Sequence, residues 1–205
     1  GGLAEQAVGA VVVNLFEGVT HPGGATGAVD KALDGAITQL IADGEIRGKE
    51  GELTLVHTFG KLSAGRVVVA GLGKAQEFNA DKVRDLAANV ARFLRRHGCD
   101  GAATIAHGAG IGGLDPEVAA RALAEGTLLG LYRFTRHKAP KPDERELTAL
   151  VLLERDAGQV EALRRGVRSG TILAEATNLA RDMANEPSNY LTPTDMAARA
   201  QAVAD

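Results

Sequence analysis

Two stretches of the chain carry three valines in a row: Val11–Val13 within AVGAVVVNLF and Val67–Val69 within RVVVAG. A strand with one face in water alternates apolar and polar side chains. A strand that is apolar at every position has both faces covered. In one chain that cover comes from helices on either side of a sheet, joined to the strands by crossovers. The two valine runs therefore call for a layered α/β fold.

The rest of the chain supplies the helices. Strands are expected over 7–16, 52–59, 66–71, 102–106 and 147–153. Between them, apolar residues at 29, 33, 37, 40 and 41 predict a helix over 29–41. Asn79 is a suitable N-cap for a helix to about His97, with Val83, Leu86, Val90 and Phe93 on its apolar face. Asp115-Pro116-Glu117 opens a further helix expected to reach about Phe134. A long helix over 159–184 comes after the last strand. Within it Gly166 and Gly170 are one turn apart. Glycine weakens a helix by about 1 kcal/mol relative to alanine, so the expected use of this pair is close approach of another backbone. Thr192-Pro193-Thr194-Asp195 restarts a helix, with Thr as cap, Pro in the first turn and an acid three residues on. Aromatic content is 3% with no Trp, so aliphatic side chains and Ala must fill the core. The predicted fold is a three-layer α/β/α arrangement around a mixed sheet, followed by a long connecting helix.

Several functional classes are disfavoured. The net charge of -3 does not suit a dedicated nucleic-acid binder. The one cysteine, Cys99, can form no internal disulfide, which fits a reduced, cytoplasmic setting. No apolar run is long enough to span a bilayer. The first ten residues lack the pattern of a signal peptide. They also lack an initiator Met, as though the natural start had been trimmed or replaced.

Candidate chemistry is confined to a few motifs. Gly108, Gly110 and Gly113 form a G-x-G-x-x-G between a strand and a helix, where a pyrophosphate could meet free N–H groups. A dinucleotide site also needs an acid about 20 residues on, at the end of the next strand. Here that distance falls at Leu128 and Leu129, inside a helix, so the loop reads as a tight strand-to-helix turn. Gly71-Leu72-Gly73-Lys74 lacks the rest of a P-loop and reads as a turn with a surface lysine. His21, His57, His97, His107 and His137 show no metal-ligand spacing. His57 alternates with Leu55 and is expected to be a satisfied core residue; His97 suits a helix C-terminus. The basic groups Arg92, Arg95, Arg96 and Arg133, Arg136, His137, Lys138, Lys141 read as solvated faces or partner contacts. No residue is assigned a catalytic, cofactor-binding or metal-binding role.

Three stretches in order nevertheless resemble one family. LAEATNLARDMANEPSNYLTPTDMA (Leu173–Ala197) is similar to the segment joining the two domains of the cytosolic leucine aminopeptidases. EGTLLGLYRFTRHK (Glu125–Lys138) and VVVAGLGK (Val67–Lys74) resemble a helix and a central strand of that family's N-terminal domain. The resemblance implies a macro-domain-like domain over 1–156, an interdomain helix over 157–184, and over 185–205 a connector with the first helix of a catalytic domain. It implies a metallo-aminopeptidase, a hydrolase acting on the N-termini of peptides, with two divalent ions (Zn or Mn). Its K-G-x-x-x-D and N-T-D-A-E-G-R motifs do not occur here and are expected beyond residue 205. On this reading the chain itself holds no cofactor and lacks catalytic residues. It serves assembly and access control, with its own catalytic domain and the neighbouring subunits of a homohexamer as partners. Two other readings stay open: a free-standing phosphate- or ADP-ribose-type binding module using Gly108–Gly113, and a DNA-binding regulator.

Overall fold

The computed structural model describes residues 2–109, 112–139 and 145–204. Gly110 of the glycine motif, Lys141 of the second basic group and Asp205 lie outside them. Five strands form one sheet in the order β2-β3-β1-β4-β5: β1 (Ala10–Phe16), β2 (Leu53–His57), β3 (Arg66–Gly73), β4 (Gly101–Ile105) and β5 (Ala149–Leu153). β3, β1, β4 and β5 run parallel, and β2 pairs antiparallel with β3 at one edge. The two valine runs lie side by side, with Val11, Val12 and Val13 opposite Val67, Val68 and Val69.

The valines face both ways, as their run required. Val11, Val13, Val67 and Val69 pack with Val29, Leu33 and Ile37 of α1 (Gly24–Ala32) and α2 (Ala36–Ala42) and their connection. Val12 and Val68 pack on the other side with Leu86, Val90 and Leu94 of α3 (Ala80–Arg96). α4 (Pro116–Leu131) lies beside α3, and α5 (Val160–Asn185) beside α4. The molecule is thus a three-layer α/β fold with a long C-terminal helix, then α6 (Pro193–Ala204).

The caps at Asn79 and Asp115 form as expected: each side-chain oxygen accepts two backbone N–H bonds. Thr192 and Asp195 close the predicted start of α6, with Thr192 Oγ1 donating to Asp195 Oδ2 at 2.6 Å.

Two expected helices differ. The segment 29–41 is two helices, broken where Asp34 (φ 56°) and Gly35 (φ 82°) turn left-handed. Asp30, buried in α1, caps the second: its Oδ1 accepts from Ile37 N at 2.7 Å and Thr38 N at 3.1 Å. A carboxylate six residues before α2 replaces a local cap. The other helix, α4, stops at Leu131 rather than near Phe134. Its last carbonyls turn to neighbouring helices: Arg95 donates to Leu131 O, Arg181 to Leu129 O and Asn178 to Leu128 O. Side chains from α3 and α5 satisfy groups that another helical turn would otherwise have used.

Gly166 and Gly170 have the use predicted for them. A Cβ on Gly166 would overlap the Glu117 carbonyl oxygen, and one on Gly170 that of Arg121, both in α4. Gly170→Val is therefore expected to lower stability by about 2–3 kcal/mol, as overpacking does. Gly101→Ala, where an added Cβ meets nothing within 4 Å, is expected to stay within about 0.5 kcal/mol of the parent. Urea denaturation of both variants checks the contrast.

Candidate functional site

In a parallel sheet the C-terminal strand ends are where ligands collect. Here a crevice of about 200 Å³ opens at the ends of β4 and β5, against the first turn of α1. Small residues make its walls: Gly24, Ala25 and Ala28 on one side, Ala106 and Ala109 on the other. Among the described residues, Glu154 and Arg155 are its ionisable lining residues. Such a crevice could hold a small ligand.

Behind it lies a polar chain. Thr26 Oγ1 donates to Asn14 O at 2.8 Å, and Asn14 Nδ2 lies 2.9 Å from His107 Nδ1. His107 Nε2 lies 3.1 Å from Thr104 Oγ1. With Asn14 donating, Nδ1 is the acceptor and Nε2 carries the proton, so the ring is a neutral imidazole. The ring is 2% exposed, and burial lowers its pKa from 6.5 to about 4. Sequence reasoning assigned His107 no role. Its placement at the end of a parallel strand, just after Thr104 and Ala106, was the available signal.

The glycine loop folds back on itself. Gly108 (φ 85°) and Gly113 (φ 68°) are left-handed, Leu114 N donates to Gly108 O at 3.1 Å, and a Cβ on Gly108 would collide with Phe78. Its described ends meet as a turn requires; Gly110 and Ile111 lie outside the described residues. Gly71 and Gly73 instead continue β3, so that expected turn is corrected: the strand runs on because the 48–52 turn packs against it. Lys74 is on the surface, 3.5 Å from Glu77. His57 is exposed rather than a core residue, because it ends the edge strand β2. His97 ends α3, with Nδ1 2.8 Å from Phe93 O.

In the second basic group, Arg136 and His137 pair within the molecule. Glu186, just after α5, has a side chain only 1% exposed. Arg136 Nη1 and His137 Nε2 each lie 2.5 Å from one of its oxygens, and Arg199 Nη2 of α6 lies 3.5 Å away. The hydrogen bond from His137, then the charge of Arg136, hold this carboxyl below its ordinary pKa against the opposing effect of burial. The His137 ring also lies between Phe134 (5.8 Å) and Tyr190 (4.5 Å). Nearby, Tyr132 Oη donates to Asp182 Oδ1 at 2.9 Å and accepts from Asn185 Nδ2 at 3.2 Å. The segment after α4 thus grips the connector after α5. Beyond this grip, Ile172, Leu173, Tyr190, Met196 and Val203 stay exposed. Among the described residues, no group of three or more His, Cys, Asp or Glu side chains is placed to hold a metal ion. No helix among them is long and apolar enough to cross a membrane.

Comparison with known proteins places these features. Residues 12–141 match the family model described as "Cytosol aminopeptidase family, N-terminal domain". A protein of Alkaliphilus metalliredigens named "Probable cytosol aminopeptidase" is 37% identical over 195 residues, covering 94% of this chain and 39% of its own length. The chain thus spans about two fifths of that relative. Among solved structures, the bottromycin maturation enzyme BotP in complex with Mn aligns with TM-score 0.72 and 26% identity, over 97% of this chain and 36% of that one. An Oceanobacillus iheyensis macrodomain with MES bound aligns with TM-score 0.63 at 13% identity, over 86% of this chain and 90% of that one. The last likeness concerns the fold alone.

Two outcomes are expected. His107 binds its proton more weakly folded than unfolded, so the unfolded state takes up more protons between pH 6.5 and about 4. Stability present above pH 6.5 is lost as pH falls through that window, by on the order of 3 kcal/mol. His107→Gln is expected to flatten that slope in urea titrations; Glu186, with its lowered pKa, contributes its own loss at lower pH. In the second, Glu186→Gln is expected to speed tryptic cleavage after Arg199 several-fold, because Arg136 and Arg199 lose a buried carboxylate.

Proposed function

The chain belongs to the cytosol aminopeptidase family, by its N-terminal domain, and on that premise we propose that it is the non-catalytic front part of a two-metal leucyl aminopeptidase. The full-length protein would release N-terminal residues from peptides in the cytoplasm, using two divalent ions (Zn or Mn). Residues 1–156 would form the N-terminal domain, 157–184 the interdomain helix, and 185–205 the connector and first helix of the catalytic domain. The observation that carries this reading is the family match over 12–141 followed by a gripped connector with an uncovered apolar face. A face of this kind suits burial against more protein. The described residues do not supply a two-metal donor set, so no step of hydrolysis is assigned to them. Their proposed work is to orient the catalytic domain and, in a homohexamer, to space subunits and restrict entry to the active sites.

The test is hydrolysis of leucine p-nitroanilide with manganese or zinc. The full-length protein is expected to turn over and to stop when a chelator is added. The 205-residue chain is expected to be inactive. Chelator-sensitive hydrolysis by the chain alone, or none by the full-length protein with either metal, would contradict the proposal. Light scattering is expected to find the full-length protein hexameric and the chain more weakly associated; a stable hexamer of the chain alone would oppose the assembly role.

A second reading, a phosphate- or ADP-ribose-type binding module, is favoured by one observation. The strand-end crevice meets the start of α1, whose N-cap, Gly23, offers no side-chain bond to the first N–H groups. Saturable heat on calorimetry with ADP-ribose would support it, and no heat would remove it. DNA binding has less to support it: Arg133 and Arg136 lie 3.1 Å from Glu146 and 2.5 Å from Glu186.

A further inference from the structure

β5 ends the sheet, with no strand paired on its outer side among the described residues. A groove of about 210 Å³ follows it, between the strand, α4 and α5. Leu123, Leu128 and Leu131 of α4, Leu150 and Leu152 of β5 and Val167 of α5 give it apolar walls. Inside it, toward α3, lies a recess of about 10 Å³ whose polar lining residues are Thr104, His107 and Thr127. Groove and recess share Leu123, Thr127, Leu147 and Leu150, which therefore form the wall between them.

One polar atom in that wall is unanswered. Thr127 is 8% exposed, and its Oγ1 is buried with no hydrogen-bond partner among the described residues. An unpaired buried hydroxyl is costly, and a polar atom placed beside it would offset that cost. The recess has room for about one oxygen atom. Thr104 Oγ1 and His107 Nε2, 3.1 Å apart, already answer each other. The groove is larger. An apolar cavity of about 150 Å³ accepts benzene, with its six carbons, so on that scale about 210 Å³ takes about eight. Among the described residues, His107 is the one ionisable group lining either space, and its ring is a neutral imidazole. A charged head group would therefore be buried without a partner.

We propose that this groove binds straight-chain aliphatic alcohols, the hydroxyl entering the recess to bond Thr127 Oγ1 and the chain lying along the leucines. A threonine hydroxyl both donates and accepts, so it can pair with an alcohol in either sense. Entry is by rotation of a leucine in the shared wall. The site shares no lining residue with the strand-end crevice. It is additional to the peptidase role, and its test needs no peptidase activity.

The test is titration of 1-octanol into the isotope-labelled 205-residue chain, following methyl and amide resonances. Saturable shifts are expected at Leu123, Thr127, Leu150 and Val167. From 1-butanol upward, affinity is expected to rise about fourfold per methylene and to level off near about eight carbons, where the groove is full. Octanoate and octylammonium are expected to bind at least about tenfold more weakly than 1-octanol. Thr127→Val keeps the side chain's shape and removes its hydroxyl. It is expected to weaken 1-octanol about tenfold, the loss of one buried hydrogen bond, and to leave hexane binding unchanged. The free variant is expected to be at least as stable as the parent, since an unpaired hydroxyl has gone. Thr171→Trp, at a half-buried position on the α5 wall, is expected to fill the groove and abolish binding. Shifts that do not saturate, affinity that keeps rising with chain length past about ten carbons, equal binding of octanoate, or parent-like binding of 1-octanol by Thr127→Val would overturn the proposal. Each of those results would leave the hydrolysis test of the full-length protein standing.

Discussion

The contact between the backbones of α4 and α5 fixes the course of the C-terminal third of this chain. Gly166 and Gly170 leave no side chain between α5 and the carbonyls of Glu117 and Arg121. Gly126 and Gly130 do the same for α4 against Arg84 and Ala88 of α3. Helices that touch at the backbone have little freedom to slide, because every displacement meets a neighbouring turn. That register brings Asn178 and Arg181 to the last carbonyls of α4. α4 can then end at Leu131, and the chain after it is free to turn toward the connector. There Arg136 and His137 meet Glu186. Four glycines within helices, each locally unfavourable, thus set the direction of the C-terminal segment.

How much of the fold the sequence disclosed depends on the range of the forces involved. The valine runs, the caps at Asn79 and Asp115, the restart at Thr192 and the glycine pair in α5 are local patterns with local physical reasons. The break at Asp34–Gly35 was hidden because Asp30 caps a helix six residues away from inside another. The end of α4 was hidden because its carbonyls are satisfied from α3 and α5. His57 was misplaced because strand alternation does not reveal where an edge strand ends. His107 and Glu186 acquire their character from partners that the chain brings in from far away: Asn14 for the one, Arg136 and His137 for the other.

The resemblance read from three short stretches and the family match agree on the N-terminal domain of the cytosol aminopeptidases. The physical description gives that domain a specific shape. A sheet buried on both faces carries a crevice at its strand ends and an apolar groove at its β5 edge. Its most constrained polar feature is the grip on the connector. A buried carboxylate held by Arg136, Arg199 and the His137 ring is a poor source of net stability but a strong determinant of geometry, because removing the partners leaves an uncompensated charge. Glu186 thereby helps to orient α6, and Tyr190, Met196 and Val203 beyond it are exposed.

Hydrogen exchange at residues 193–204 tests this account most directly. A helix of this length has little stability of its own in water. In the 205-residue chain, held through Arg199 and Glu186, its amides are expected to be only weakly protected. In the full-length protein they are expected to be strongly protected, with Ile172 and Leu173 of α5 protected further in parallel. Equal protection in both, or none in either, would contradict the claim that this face is where the domain meets the rest of its protein.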